Sequence, residues 1–266
     1  MLKKYFPIVV LCIFTFSSCL TGFSDFYEPW FEYDYFTEES YLQEDETPEV
    51  IQTSELDIKF REISSMWYWC IGSARFNGED RNEETLTEDL IGLCKDKKAK
   101  LAIWAKEYTD TKSGSYSIPH TNYHSYTNSF GYTSSYATTS YSTHFFSMQR
   151  FNFSSYLFIS IPTEYKKFYT PGFSISDLSE KDRETYKQNT GCLINVVYKD
   201  TTAYYANLFH GDIITKVNDI KIYSVEDFRD FCKKSTNGDK WKLTLIRNGS
   251  EKEINLVYDL FQADPN

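Results

Sequence analysis

The residues best suited to chemistry are few, and their spacing argues against most of it. The chain holds four histidines, His120, His124, His144 and His210. His120 and His124 stand four apart, the interval at which two imidazoles on one helical turn chelate zinc. Pro119 and the Ser and Tyr around the pair oppose a helix, and no fixed carboxylate accompanies it, so solvated loop histidines are expected and no metal site. A serine nucleophile needs a histidine base, an orienting acid and an oxyanion-binding loop. The chain has no Gly-Asp-Ser-Gly loop, no Gly-x-Ser-x-Gly elbow, no phosphate loop and no dinucleotide fingerprint. The expectation is a protein without catalytic residues and without a cofactor. Cys70, Cys94, Cys192 and Cys232 are dispersed among apolar residues, with no zinc-ligand spacing, and read as small buried hydrophobes rather than disulfide partners.

With 266 residues and 41% hydrophobic content, the chain can bury about two cores. It opens with Lys3 and Lys4, an apolar run from Tyr5 to Phe16, then Ser17, Ser18 and Cys19. That pattern is an export signal over residues 1–18, and its apolar run is shorter than the roughly 20 residues a membrane span needs. Ser17-Ser18-Cys19 resembles the lipobox of bacterial lipoproteins, with Phe16 where that family usually has Leu. The resemblance implies a lipidated Cys19 and a membrane-anchored protein of the bacterial cell envelope, periplasmic or surface-exposed; the alternative is ordinary signal cleavage. Between Asp25 and Val50 lie about ten acids and no Lys or Arg, which accounts for nearly all of the net charge of −10. Such self-repelling composition reads as an extended tether over residues 19–53, or else as an aromatic-rich segment that docks on a partner. Without a basic patch, nucleic-acid binding has no electrostatic footprint.

The expected fold class is α+β, in two folded regions. In the first, residues 54–164, a strand near Met66 to Gly78 runs into an Asn-Gly turn. Leu86, Leu90, Leu93 and Cys94 then share one helical face behind a cap at Asn82, and Ala99 to Tyr108 form a strand covered on both faces. Strand, helix, strand suggests a parallel pair with a right-handed crossover. Residues Thr111 to Thr143 are about two-thirds Ser, Thr and Tyr. They suit a long exposed β-hairpin turning near Asn128 to Gly131, or a disordered stretch, before a return strand through Phe151 to Ile161. Ile71, Gly72, Phe76 and Gly78, the strand Ala99 to Tyr108 and this return resemble the N-terminal region of a group of exported, PDZ-associated bacterial proteins. That likeness implies architecture and no activity.

The second region, residues 169–260, contains a strand at Gly191 to Val197, a short helix, paired strands in "IITKVNDIKI", a helix capped by Ser224, and a hairpin turning at Asn248-Gly249. In this order, with Ala203, Leu208, Gly211-Asp212-Ile213-Ile214, Val217-Asn218 and Gly238, it resembles the PDZ domain of bacterial HtrA-type proteases. The resemblance implies a protein or peptide ligand that adds as a strand to a sheet edge, with its terminal carboxylate held in a backbone nest. Carried over residue by residue, the site comprises Pro171, Gly172, Phe173, Ser174 and Ile175, facing Val225, Phe228 and Phe231. Pro171 departs from the family pattern because it lacks the N–H of the residue it replaces. The alternatives are a PDZ fold serving as a packing module, a surface protein acting through the Tyr-rich hairpin, and an accessory subunit of an envelope protease.

Overall fold

A computed structural model of the chain describes residues 22–30 and 36–259. The export signal and Cys19 lie outside the described residues, among which no helix is long and apolar enough to cross a membrane.

The first region is a five-stranded sheet in the order β1-β3-β5-β4-β2. Its elements are β1 (Tyr27–Pro29), β2 (Glu49–Gln52), α1 (Leu56–Ser65), β3 (Tyr68–Glu79), α2 (Glu83–Asp96), β4 (Leu101–Thr127) and β5 (Thr133–Ser160), with the short α3 (Thr163–Lys166) leading out. Strand alternation divides the sheet between two cores. Leu101, Ile103 and Phe158 pack with Ile63 of α1, whereas Ala102, Trp104, Leu157 and Ile159 pack with Leu86, Leu90 and Leu93 of α2. The two-faced burial expected of Ala99 to Tyr108 is present over Leu101 to Trp104 and is lost by Glu107 and Tyr108, which are exposed. Asn82 caps α2 by accepting from the Glu84 N–H at 2.9 Å, which satisfies one of the donors a helix start leaves open.

Three sequence expectations change here. The strand–helix–strand unit does not pair directly: β3 and β4 run parallel, but β5 lies between them and is antiparallel to both. The hairpin brings its return strand home beside β4, and that strand occupies the slot a simple crossover would close. Asn77-Gly78 is not a turn, because β3 runs straight through it opposite Asn152 and Phe151, and the two asparagine amides bond at 2.8 Å. The acidic segment is also not a free tether in its described residues. β1 pairs with β3, β2 pairs in parallel with β4, and Phe23 is fully buried against Phe76 and Trp104. Its scattered aromatics and edge pairing outweigh the repulsion among its acids, which face solvent.

The second region is a sheet in the order β11-β10-β8-β7-β6, with a short β9 pairing off β8. Its elements are β6 (Phe173–Asp177), α4 (Glu180–Tyr186), β7 (Cys192–Val197), α5 (Thr202–Tyr205), β8 (Ile213–Val217), β9 (Ile220–Lys221), α6 (Val225–Lys234), β10 (Lys240–Arg247) and β11 (Ser250–Val257). Each expected turn is present. Asn218 and Asp219 adopt positive φ between β8 and β9, and Asn248 and Gly249 do so between β10 and β11, as two-residue hairpins require. Ser224 and Asp227 form a capping box at the start of α6.

Gly211, at φ +90°, turns the chain so that Asp212 enters the interior at 1% exposure. There Asp212 takes both arms of Arg247, at 2.7 Å from Nε and 2.6 Å from Nη2, and also accepts the Phe209 N–H. The two regions meet at Trp67. Its ring stacks on Tyr198 at 4.1 Å, its Nε1 donates to the Lys199 carbonyl, and the Lys199 N–H donates to the Ser65 carbonyl.

Removing one partner from a desolvated, bidentate ion pair strands the other charge. Asp212→Ala is therefore expected to destabilise the second region by about 3 kcal/mol, read as a lower urea midpoint with an unchanged slope. Loss under 1 kcal/mol would show the pair to be dispensable.

Candidate functional site

Strand β6 is the outer strand of its sheet, so one of its edges has no neighbour among the described residues. The Tyr198 N–H donates to the Gly172 carbonyl at 2.9 Å, flanking the Phe173–Val197 pair. Antiparallel geometry then turns the N–H and C=O of Phe173 outward, away from β7. Between this edge and α6 lies an open crevice of about 440 Å³. Phe173, Ser174 and Ile175 form one wall and Phe228, Arg229, Cys232 and Lys233 the other. Lys167, Phe168 and Tyr169 stand at its mouth. Phe173 and Phe228 meet at 5.7 Å to make an aromatic floor.

The helical period explains which α6 residues face the crevice. Positions 228, 229, 232 and 233 recur at i, i+1, i+4 and i+5, a single stripe along the helix. Phe231 lies outside that stripe, packs edge-on against Trp241 at 5.2 Å and lines a different hollow near Ile220. Val225 is buried in the core, its N–H held by Asp177 Oδ1 at 2.8 Å. Thus Phe173, Ser174, Ile175 and Phe228 of the expected residues come together, whereas Phe231 and Val225 do not line the crevice. Lys167, Phe168, Tyr169, Arg229, Cys232, Lys233 and Tyr258 were missed. Lys167, Arg229 and Lys233 are cationic, and the helix period counted from Phe228 was the signal that could have found Arg229, Cys232 and Lys233.

Pro171 and Gly172 lie beside the crevice, in a neighbouring hollow shared with Asp200, Thr201 and Tyr205. The loop they form spends its donors internally. The Thr170 N–H donates to Lys167 O at 3.4 Å and the Gly172 N–H to Tyr169 O at 2.6 Å, while Pro171 has none. Only the Phe173 N–H is left, among these four residues, turned toward the crevice. Gly172 itself cannot be replaced, because φ is +110° and a Cβ would strike the Thr201 side chain. Tyr169 ties the loop to the first region by packing against Tyr198 and Trp67, at 5.0 and 6.3 Å.

Among the described residues no group of His, Cys, Asp and Glu is arranged to hold a metal. His120 and His124 sit on an extended strand, His120 beside the Ser142 hydroxyl and His124 stacked on Tyr136. The four described cysteines are free, and burial pushes the thiols of Cys70, Cys94, Cys192 and Cys232 up to about 12. A rise of three units from 9 lowers the thiolate fraction about a thousandfold. Iodoacetamide at pH 8 is accordingly expected to leave these four sites unmodified in the native protein and to label all four in urea, by peptide mapping. Rapid native labelling at Cys232 would mean that the crevice wall opens.

Residues 172–257 match the family described as PDZ domain. Among solved structures, the chain is similar to the HtrA3 PDZ domain bound to a phage-derived ligand, at 14% identity over 32% of this chain and 80% of that one, with a TM-score of 0.29. It is similar to the HtrA-type protease AlgW with a decapeptide, at 16% identity over 41% of this chain and 38% of that one, with a TM-score of 0.32. It also aligns with an aminopeptidase N family protein from Idiomarina loihiensis, at 17% identity over 35% of this chain and 14% of that one, with a TM-score of 0.29. The chain spans well under half the length of the latter two. No curated protein matches it. The crevice between an open strand edge and an amphipathic helix, in the segment that the family covers, leads to one assignment: residues 172–257 of this chain are a PDZ domain.

Proposed function

We propose that this protein is a non-catalytic binding protein, carried on a lipid at Cys19 in a bacterial envelope, whose PDZ domain takes an extended polypeptide segment as an added strand. The observation that carries the reading is the crevice itself, an open β6 edge facing Phe228, with no side chain of the described residues filling the space between. Backbone pairing along Phe173 to Ile175 would supply affinity, and the apolar floor would select alternate ligand side chains. Lys167, Arg229 and Lys233 favour a ligand with acidic residues.

The spent donors of Thr170 and Gly172 refine the ligand. A backbone nest that retains one outward N–H holds a terminal carboxylate poorly, so the preferred partner is an internal or merely acidic strand rather than a free C-terminus. The match of residues 172–257 to the PDZ family supports a peptide as the class of ligand here. The Cys19 anchor rests on the N-terminal pattern; Cys19→Ala is expected to move the exported protein from the detergent phase to the aqueous phase.

Binding of fluorescent acidic peptides to the full chain is expected in the micromolar range. Ile175→Glu should weaken it at least tenfold, about 1.4 kcal/mol, with little change in melting temperature, and Phe228→Glu should abolish it. Amidating the peptide's C-terminus should change Kd less than threefold. Absence of binding across a diverse peptide library would defeat the proposal, and a large amidation penalty would defeat the preference for internal strands.

A further inference from the structure

Beyond the sheet, β4 and β5 continue alone. The β3 partner of β5 ends at Glu79 opposite Arg150, and β2 covers only Leu101 to Trp104 of β4. Residues 111–149 are thus a two-stranded ribbon, paired from Thr111–Gln149 out to Thr127–Thr133 and closed by Asn128, whose Oδ1 accepts the N–H groups of Phe130 and Tyr132. At about 3.4 Å per residue, each arm reaches roughly 55 Å. Aromatics stand bare along it, with Tyr123 84%, Phe130 85% and Phe145 83% exposed.

The register decides which backbone groups are open. The Asn128 N–H donates to the Tyr132 carbonyl at 2.9 Å, so even-numbered pairs carry the bonds inside the hairpin and odd-numbered residues point their N–H and C=O outward. The hydroxyl contacts of Ser117 with Thr143, Thr121 with Thr139 and Thr127 with Thr133 fall on these closer, non-bonded pairs. Pro119 occupies an odd position of β4, so the outer edge of β4 lacks a donor at its middle. The outer edge of β5 from Thr133 to Gln149 has no proline, no charge and no bulge, none of the devices that ordinarily blunt a long edge.

Charge identifies what can approach. The chain carries 38 acids and a net charge of −10, yet residues 111–149 include no acid and Lys112 as their one charged residue. The excess of acid is concentrated between Asp25 and Val50, so two copies repel one another there and not along the ribbon. The strand is also self-complementary. In an antiparallel pairing of two β5 edges about Thr139, odd faces odd and bulky faces small: Tyr141 opposes Ala137, Phe145 opposes Thr133 and, between the bonded rungs, Tyr136 opposes Ser142.

We infer that the outer edge of β5 is an isologous interface on which a second copy of this chain pairs, turning two hairpins into one four-stranded ribbon. A two-fold contact uses the same edge on both copies, and the interrupted β4 edges end the assembly at two. No residue of the ribbon lines the PDZ crevice, and the inference does not depend on what that crevice binds.

Sedimentation of the full chain across a concentration series tests it, with peptide binding and melting temperature as controls of folding. The wild type is expected to be a dimer. Thr139→Pro, which removes an outward donor and, like Thr121→Pro, the Thr121–Thr139 hydroxyl contact but no backbone bond inside the hairpin, and Thr139→Glu, which sets like charges together on the axis, should both yield monomer. Thr121→Pro, the matching change on the outer edge of β4, should leave the dimer intact. A monomeric wild type, a dimer surviving both Thr139 variants, or equal dissociation by Thr121→Pro would overturn the inference.

Discussion

Every strand carries N–H and C=O groups on both sides, and a sheet must dispose of the outermost row. How this chain meets that constraint organises both of its regions. In the first, β1 and β2, drawn from the acidic segment, cover one edge each where the sheet has a packed core. In the second, β11 ends one side and β6 the other, and β6 is left open beside a helix. Two of the open edges lie beside the crevice and along the ribbon.

The two regions are joined through side chains that also hold the mouth of the crevice. Trp67 adopts φ +66°, an unusual conformation for a bulky residue. It is over-determined by its stack on Tyr198, by Nε1 bonding to Lys199 O and by a carbonyl that accepts the Ile161 N–H at 2.7 Å. Lys166 lies over the same ring, where burial lowers its pKa from the usual ammonium range. Tyr169 packs against both Trp67 and Tyr198 immediately before the Thr170 to Phe173 loop, so the loop is braced by the first region as well as by its own. A braced loop with its donors already spent suits a groove that receives strands more than one that closes on a terminus.

The PDZ core rests on ordinary burial with one exception. Phe173, Phe228, Trp241, Leu243 and Leu245 form a continuous apolar cluster, whereas Asp212 and Arg247 place an ion pair at the bend where β8 begins. Arg247 also lies over the Phe209 ring at 4.5 Å, so its guanidinium is held on a face and an edge at once, an arrangement lysine could not reproduce. The pair locks the turn before β8 to the end of β10, two segments distant in sequence, and so sets the frame against which β6 and α6 stand apart.

Much of this was legible in the residues themselves. The capping sets at Asn82 and at Ser224 with Asp227, the turns at Asn218-Asp219 and Asn248-Gly249, the alternation of Leu101 to Trp104 and the hairpin closing near Asn128 are local signals. Each depends on residues a few positions apart, and each is found where the pattern put it. What tertiary structure decided is long-range: β5 entering between β3 and β4, β3 running on through Asn77-Gly78, the acidic segment packing by way of Phe23, and Phe231 turning from the crevice toward Trp241. Periodicity states which face of an element is apolar, but the partner that covers that face, and the edge left without one, are chosen by competition among segments far apart in the chain.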